Sequence, residues 1–359
     1  YQYVQEKALK FCKQQELQKV MSKAQKIIDK GDFESYDHLE EMVREALQVG
    51  EVDTGTADVF FNLDEVLDDD FRHPIPIGIT GIDNLLKGGL AKGEIGVILA
   101  PTGVGKTTVL SKIANNAFNL GYNVLQIFFE DNPKIIQRKH FTMWTKIAPD
   151  NLSLQREEVL EKVRQIKENA SNRLILKKLP SDTLTMNQIK NQIRKMIAEG
   201  TKIDLVVVDY IDCIVPDKNL GDEWKSEGSV MRGFESMCHE LDIAGWTATQ
   251  GNRSSISSEV VTTDQMGGSI KKAQVGHVII SVAKSLQQKE MNLATIAITK
   301  SRIGKDGIVF ENCKFDNEMI EIDTDSSVTF LGMEEQKEEK NKVRIQELLQ
   351  KRKQRENKL

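Results

Sequence analysis

Residues 100–107 read Ala100-Pro101-Thr102-Gly103-Val104-Gly105-Lys106-Thr107, between an apolar run at 95–100 and a helix-periodic run at 107–120. Strand, glycine-containing loop and helix in that order are the context a phosphate-binding P-loop requires. The glycines let backbone N–H groups point inward at phosphates, and the opening helix end adds a field that favours anions. Lys106 supplies a point charge for the β- and γ-phosphates, and the Thr107 hydroxyl is placed to ligate Mg²⁺. Ala100 stands where the pattern has Gly, and a small residue still fits at a strand end. Thr102, Gly103, Val104, Gly105, Lys106, Thr107 and Thr108 are therefore the expected nucleotide-binding residues.

Outward from this loop the pattern alternates. Strands are predicted at 95–100, 123–129, 174–178, 204–209, 243–249, 277–282 and 293–299, and helices at 107–120 and 186–198 among others. The runs at 205–208 and 278–282 are nearly all apolar, as expected of strands covered on both faces. The predicted class is α/β, a mainly parallel twisted sheet flanked by helices with the later strands as an antiparallel edge. A P-loop needs a metal-organising acid. Leu205-Val206-Val207-Val208-Asp209 is an apolar strand ending in one, so Asp209 is the expected second Mg²⁺ residue. Glu130 closes the next apolar run, Leu125-Gln126-Ile127-Phe128-Phe129-Glu130. Ends of parallel strands share a rim, so Glu130 is the expected residue that orients and polarises the attacking water.

The flanks read differently. Val4, Ala8, Phe11, Leu17, Val20, Ala24 and Ile27 recur at helical spacing, Gly31-Asp32 breaks the run, and Ser35 is placed to cap a second helix carrying Leu39, Met42, Val43, Ala46 and Leu47. Residues 51–76 hold one short apolar stretch, 59–67, then Asp68-Asp69-Asp70, Pro74 and Pro76. So short a piece buries its apolar face only by docking on this domain or a neighbour. The expected organisation is a helical segment at 1–50, a linker with a docking helix at 51–76, an ATPase domain at 77–330 and a charged tail at 331–359. The tail, acidic then basic, reads as a solvated helix or as a docking tail for a partner or DNA phosphates.

Bulk properties bound the partners. The chain has 359 residues and 39% hydrophobic content, enough for a core, and a net charge of −5, which argues against a generally basic coat protein for nucleic acid but leaves room for a local groove. The four cysteines are scattered without metal spacing and read as reduced core thiols in a cytoplasm. No apolar run is long enough to span a bilayer and no signal peptide leads the chain, so no membrane partner is expected. The chain opens on Tyr1, read here as a start inside a longer protein.

With these pieces in place, residues 75–325 resemble the DnaB-like replicative helicases, especially shorter phage-type versions. The resemblance rests on Gly81-Ile82-Asp83-Asn84-Leu85-Leu86-Lys87-Gly88-Gly89-Leu90, the P-loop, Glu130, Val208-Asp209-Tyr210, Gln250-Gly251-Asn252-Arg253 and Lys300-Ser301-Arg302-Ile303-Gly304. It implies a RecA-like ATPase fold, ATP and Mg²⁺ as cofactors, and a homohexameric ring that moves on single-stranded DNA, 5′ to 3′. A primase and a helicase loader are implied as partners in a bacterial cytoplasm, the gene being bacterial or phage-encoded. Gln250 matches the glutamine that senses the γ-phosphate and relays its state to the DNA loops. Lys300 and Arg302 match a pair that reaches across a subunit interface into the neighbour's ATP site, where an incoming cation neutralises charge on the transferring phosphoryl group. A family arginine near the nucleotide corresponds to Arg138 or Lys139. The DNA loops correspond to 215–230 and 253–272, with Arg253, Gly268, Ser269 and Lys271 as contacts, and the Lys271-Lys272 pair adds attraction independent of sequence. The family usually has Arg-Glu where this chain has Gln265-Met266, which removes two expected side-chain contacts.

Two other readings share the P-loop. A RecA- or RadA-like recombinase would form open filaments instead of closed rings. A regulatory ATPase of the same fold would hydrolyse ATP without stimulation by DNA.

Overall fold

The computed structural model describes residues 2–30, 43, 67, 72–217, 223–252, 254–255, 258–267, 270–324 and 328–330. The predicted cap at Ser35, most of the second helix and of the docking segment, the contacts at Arg253, Gly268 and Ser269, and the charged tail lie outside the described residues. The chain divides into two compact units, Tyr1–Phe71 and Arg72–Leu359. In the first, helix α1 (Gln2–Lys30) ends at the residue before Gly31-Asp32.

The second unit is built on one ten-stranded sheet. Its strands are β1 (Ile95–Ala100), β2 (Val124–Phe128), β3 (Leu174–Lys178), β4 (Leu205–Asp209), β5 (Ala244–Gln250), β6 (Val278–Ala283), β7 (Leu293–Ser301), β8 (Ile308–Asp316), β9 (Glu321–Asp323) and β10 (Val328–Phe330). The order is β10-β8-β7-β6-β1-β5-β4-β2-β3, with β9 also on β8. Strands β6, β1, β5, β4, β2 and β3 are parallel, and β7, β8, β9 and β10 join antiparallel. The predicted strands all form, with ends moved by up to two residues, and the antiparallel edge gains β8, β9 and β10, which periodicity did not mark.

The helices of this unit are α2 (Thr80–Leu85), α3 (Lys106–Asn119), α4 (Pro133–Thr145), α5 (Arg156–Asn169), α6 (Met186–Ala198), α7 (Glu223–Glu240), α8 (Ile270–Val275) and α9 (Leu286–Glu290). Alternate residues of the central strands enter two separate cores. Ile98, Leu205, Val207, Trp246 and Ile280 pack with Val109, Leu110 and Ile113 of α3. Val97, Leu99, Val206 and Val208 pack with Ile189 and Ile193 of α6 and Phe234 and Met237 of α7. Both faces being covered explains the unbroken apolar runs. Gly96 is needed on β1 because an added Cβ would lie 2.4 Å from the fully buried Trp246 ring. Helix α6 starts where Thr185 and Gln188 form a reciprocal capping box, and α4 where Asn132 caps Lys134 N–H ahead of Pro133. Asp83 accepts from the N–H groups of Ile77, Gly78 and Ile79 at 2.8, 3.0 and 3.2 Å and so sets the turn that leads into α2. Among the described residues no helix is long and apolar enough to cross a membrane.

A buried polar chain fastens α3 and α4 to β2. His140 Nε2 donates to Gln126 Oε1 at 2.9 Å, its Nδ1 accepts from Asn115 Nδ2 at 3.2 Å, and Gln126 Nε2 donates to Ser111 Oγ at 3.2 Å. Burial, reinforced by the nearby Lys139, pushes the imidazole down to about 3. The folded state then holds His140 neutral where the unfolded chain protonates it. Its stabilising neutrality is complete above pH 6.5 and is lost as pH falls towards 3. We expect wild type to lose roughly 2 kcal/mol more than His140→Gln between pH 6.5 and 5, at about 1.4 kcal/mol per unit. Denaturant titrations of both proteins at each pH check this; equal slopes would assign the pH dependence to other groups.

Candidate nucleotide site

The site lies at the carboxyl rim of the parallel strands, where β1, β5, β4 and β2 all end. The loop after β1 turns through Gly103 (φ +77°) and Gly105 (φ +124°) into α3. Thr102 and Gly103 are exposed, Val104 is buried below them, and Gly105, Lys106 and Thr107 are half-buried. Gly105 has a second reason to be glycine: a Cβ there would meet Asn317 Oδ1 at 2.4 Å and the Phe315 ring at 2.8 Å. Thr108 is buried and donates its hydroxyl to Asn317 Oδ1 at 3.0 Å. The β8–β9 turn thus sits on the base of the phosphate loop, and nothing in the motif sequence pointed to it.

Lys106 Nζ lies 3.4 Å from the Ala100 carbonyl and 3.5 Å from that of Pro101, and 5.8 Å from the centre of the Tyr210 ring. Burial lowers its pKa, while Asp209, Asp212 and Glu130 act the other way. One cation therefore faces three carboxylates drawn from β4, the turn after it and the end of β2. Asp209 is 7% exposed, and burial pushes its carboxyl up to about 6, against a hydrogen bond from Thr107 and the charges of Lys139 and Lys106. A buried carboxylate joined to a threonine hydroxyl, both hard oxygen donors, fits a small divalent cation. Thr107 and Asp209 are the residues that would hold Mg²⁺.

Strand β2 is not next to β1; β5 and β4 lie between them. It pairs with β4 in a register that sets Phe128 against Asp209, and this brings Glu130 beside Tyr210. The Tyr210 hydroxyl donates to Glu130 Oε1 at 3.2 Å, and Lys178 Nζ donates to the Glu130 carbonyl at 3.2 Å. Glu130 stands two residues beyond the strand and is exposed, not buried at its end. Its carboxylate is therefore open to a water molecule as well as to the tyrosine.

Gln250 ends β5 opposite Ala100 of β1, and its side-chain amide donates to the Thr102 hydroxyl. Its backbone N–H donates to Asp212 Oδ2 at 3.2 Å. Asp212 was missed by the sequence reading, although a second acid three residues after Asp209 was a visible signal. Arg138 lies on α4 with its guanidinium donating to the Pro149 carbonyl, while Lys139 is the residue whose charge reaches Asp209. Lys271 is half-buried on α8. Lys272 corrects the reading of Lys271-Lys272 as a pair facing DNA. It is 3% exposed and ion-paired with Asp212 at 2.5 Å, because its position on α8 turns it inward towards β5.

Lys300 and Arg302 lie elsewhere. Strand β7 runs antiparallel to β6 and pairs Ser301 with Val278, which is level with Gly96 at the start of β1. Arg302 N–H donates to the His277 carbonyl at 2.8 Å, and His277 N–H to that of Ile95 at 3.0 Å. Both cations are thus at the amino rim, about 17 Å along β1 from the chain's own phosphate loop at ~3.3 Å per residue. Lys300 Nζ donates to the carbonyls of Ala273, Gln274 and Gly276 at 2.6, 2.9 and 2.7 Å, and Arg302 Nη2 donates to Gln274 at 2.6 Å. Burial and the adjacent Arg302 push the Lys300 ammonium down to about 8.

Comparison with known proteins bears on this arrangement. A family model described as DnaB-like helicase C-terminal domain matches residues 74–356. The chain is 21% identical over 241 residues to a DnaB-like replicative helicase of Enterobacteria phage T4, covering 64% of this chain and 50% of that protein. It is 26% identical over 189 residues to the replicative DNA helicase DnaB of Buchnera aphidicola subsp. Baizongia pistaciae (strain Bp), covering 49% of this chain and 40% of that one. It therefore spans about half the length, or less, of these curated relatives. Among solved structures, one described as an ATPase domain superposes with a TM-score of 0.62 at 19% identity, over 73% of this chain and 95% of that one. A DnaB-like replicative helicase, described with its interactions with primase, superposes with a TM-score of 0.69 at 17% identity, over 86% of this chain and 76% of that one. At such identities the structural likeness establishes the fold, a RecA-like ATPase domain.

Proposed function

The chain belongs to the DnaB-like helicase C-terminal domain family, and from that premise we propose that it is the motor of an ATP-dependent replicative DNA helicase. Six copies form a ring that translocates on single-stranded DNA, 5′ to 3′, and unwinds the duplex at a replication fork. Residues 1–50 are read as a remnant or the C-terminal part of a helical collar, 51–76 as a linker with a docking helix, 77–330 as the motor and 331–359 as a charged tail. Primase and a loader are its partners, in the cytoplasm of a bacterium, with a phage gene as an alternative origin.

The observation that carries the proposal is the distance between the Lys300–Arg302 pair and the chain's own phosphate loop. The local site supplies a phosphate cradle, metal-binding oxygens, a water-facing carboxylate and a sensor. Among the described residues its cations besides Lys106 are Lys139, which acts on Asp209, and Lys178, which donates to the Glu130 carbonyl, whereas Lys300 and Arg302 stand at the opposite rim. A ring in which each amino rim meets the next subunit's carboxyl rim completes every site. Thr107 and Asp209 would hold Mg²⁺, which would supply charge neutralisation at the transferring phosphoryl group. The Lys106 ammonium and the loop N–H groups hold the β- and γ-phosphates, Glu130 orients the attacking water, and Gln250 carries the state of the γ-phosphate to the DNA loops at 215–230 and 253–272.

The deciding experiment is ATP turnover with and without single-stranded DNA, alongside particle shape by negative-stain microscopy with a non-hydrolysable analogue. Stimulation with six-membered rings is expected. Stimulation with extended filaments would favour a recombinase, and absence of stimulation a regulatory ATPase. The trans role has its own test. Arg302→Ala should assemble normally with turnover lowered by about 10³-fold or more. Mixing it with Lys106→Ala should recover turnover that neither variant shows, because some interfaces then join an intact phosphate loop to an intact arginine. No recovery in assemblies shown to be mixed would sink the trans assignment.

A further inference from the structure

Lys272 has no part in the chemistry described so far, and Asp212 enters it only through its charge on Lys106. Asp212 lies in the 3-10 turn Ile211–Cys213, directly after the strand that ends in Asp209. Its carboxylate oxygens accept from Thr249 Oγ1 at 3.1 and 3.0 Å, from Gln250 N–H at 3.2 Å and from Lys272 Nζ at 2.5 Å. The Lys272 ammonium also donates to the Gly267 carbonyl at 3.3 Å. Gly267 N–H in turn donates to the Gln250 carbonyl at 2.7 Å. One carboxylate thus fastens the end of β5, and with it Gln250 on the phosphate loop, to helix α8 and, through Lys272, to Gly267.

A structural tie between β5 and α8 does not need ions. Buried ion pairs can often be replaced by apolar side chains of similar volume without loss of stability, whereas removing one partner leaves an uncompensated charge. What this pair of a buried ammonium and a partly exposed carboxylate adds is direction: Lys272 meets Asp212 in one geometry, and a shift of α8 along the rim must move Gln250 with it. The far end of α8 is tied as well, since Lys300 and Arg302 donate to the carbonyls of Ala273 and Gln274. This short helix therefore joins the chain's own site to the cations proposed for the next one.

We propose that the Asp212–Lys272 pair is the positioning link that makes Gln250 and the 267–272 segment move as one unit, so that strand contact at that segment sets the rate of hydrolysis. The proposal rests on the helicase reading above. Lys272 is a positioning residue here and touches neither nucleotide nor DNA.

The test uses the full chain with ATP and a poly(dT) oligonucleotide, and compares wild type with Lys272→Met, Lys272→Arg and the double variant Asp212→Asn/Lys272→Met. The double variant removes both charges, so no unpaired carboxylate is left facing the new apolar side chain, and it keeps the test open if Lys272→Met does not fold. In Lys272→Met and in the double variant the ratio of DNA-stimulated to basal turnover should fall about tenfold. For Lys272→Met, the KM for ATP and the Kd for labelled poly(dT) should both stay within about twofold. Lys272→Arg should retain most of the stimulation. A folded double variant with the wild-type ratio would overturn the link, as would an equal loss of basal and stimulated turnover, which marks a structural role only. A wild type that poly(dT) does not stimulate would instead remove the helicase reading, and the link with it.

Discussion

Lys106→Ala is expected to abolish measurable nucleotide binding and to lower kcat/KM for ATP by about 10³-fold or more, the scale on which a single electrostatic contact to a reacting group acts. The reason lies in the charge balance of the site. Asp209, Asp212 and Glu130 all act on the Lys106 ammonium. Without it, three carboxylates face an incoming triphosphate with the loop N–H groups and the charge of Lys139 to oppose them. The side chain is half-buried at the first residue of α3 and not part of either core, so truncation should leave the fold intact. Calorimetry with ATP and Mg²⁺, together with a circular dichroism spectrum, checks both halves of the statement. Retained turnover in a folded variant would remove the phosphate-loop assignment.

Glu130→Gln should separate binding from chemistry. Glutamine has the shape of glutamate, and its carbonyl oxygen can still accept from the Tyr210 hydroxyl, which lies 3.2 Å from Glu130 Oε1. The nucleotide should bind with near wild-type affinity while kcat falls by about 10²–10⁴-fold, the usual contribution of a positioned acid or base. Single-turnover hydrolysis measured beside equilibrium binding distinguishes the two effects. Wild-type turnover would move the water-orienting role to another carboxylate of the site, such as Asp131 or Asp212. The exposure of Glu130 matters here, because a fully buried glutamate could not meet water before the site closes.

Much of this site was legible in local sequence because its constraints are local. A strand, a glycine turn and a helix start are contiguous, so residues 100–107 carried their own context. Asp209 was legible because a P-loop needs a metal-organising acid and one apolar run, as expected of a strand covered on both faces, ended in an acid. Glu130 was legible by the same logic, although its neighbour proved to be β4 and not β1. The roles of Gln250, Lys300 and Arg302 came from family resemblance, and spacing alone left them as surface polar residues.

What the sequence by itself determined is therefore the class of the fold and the glycine turn and acids that meet at the carboxyl rim. Each follows from backbone periodicity and the cost of burying charge, which act over a few residues. The tertiary structure decided the rest. The antiparallel return of β7 put Lys300 and Arg302 at the far rim, because strand direction belongs to the sheet and not to the strand. The packing of α8 turned Lys272 inward onto Asp212, 60 residues away in the chain. The β8–β9 turn brought Asn317 to Thr108, 209 residues away. Hydrogen bonds and ion pairs act over about 3 Å in space whatever the separation in sequence, so partners of this kind become visible only once the chain has folded.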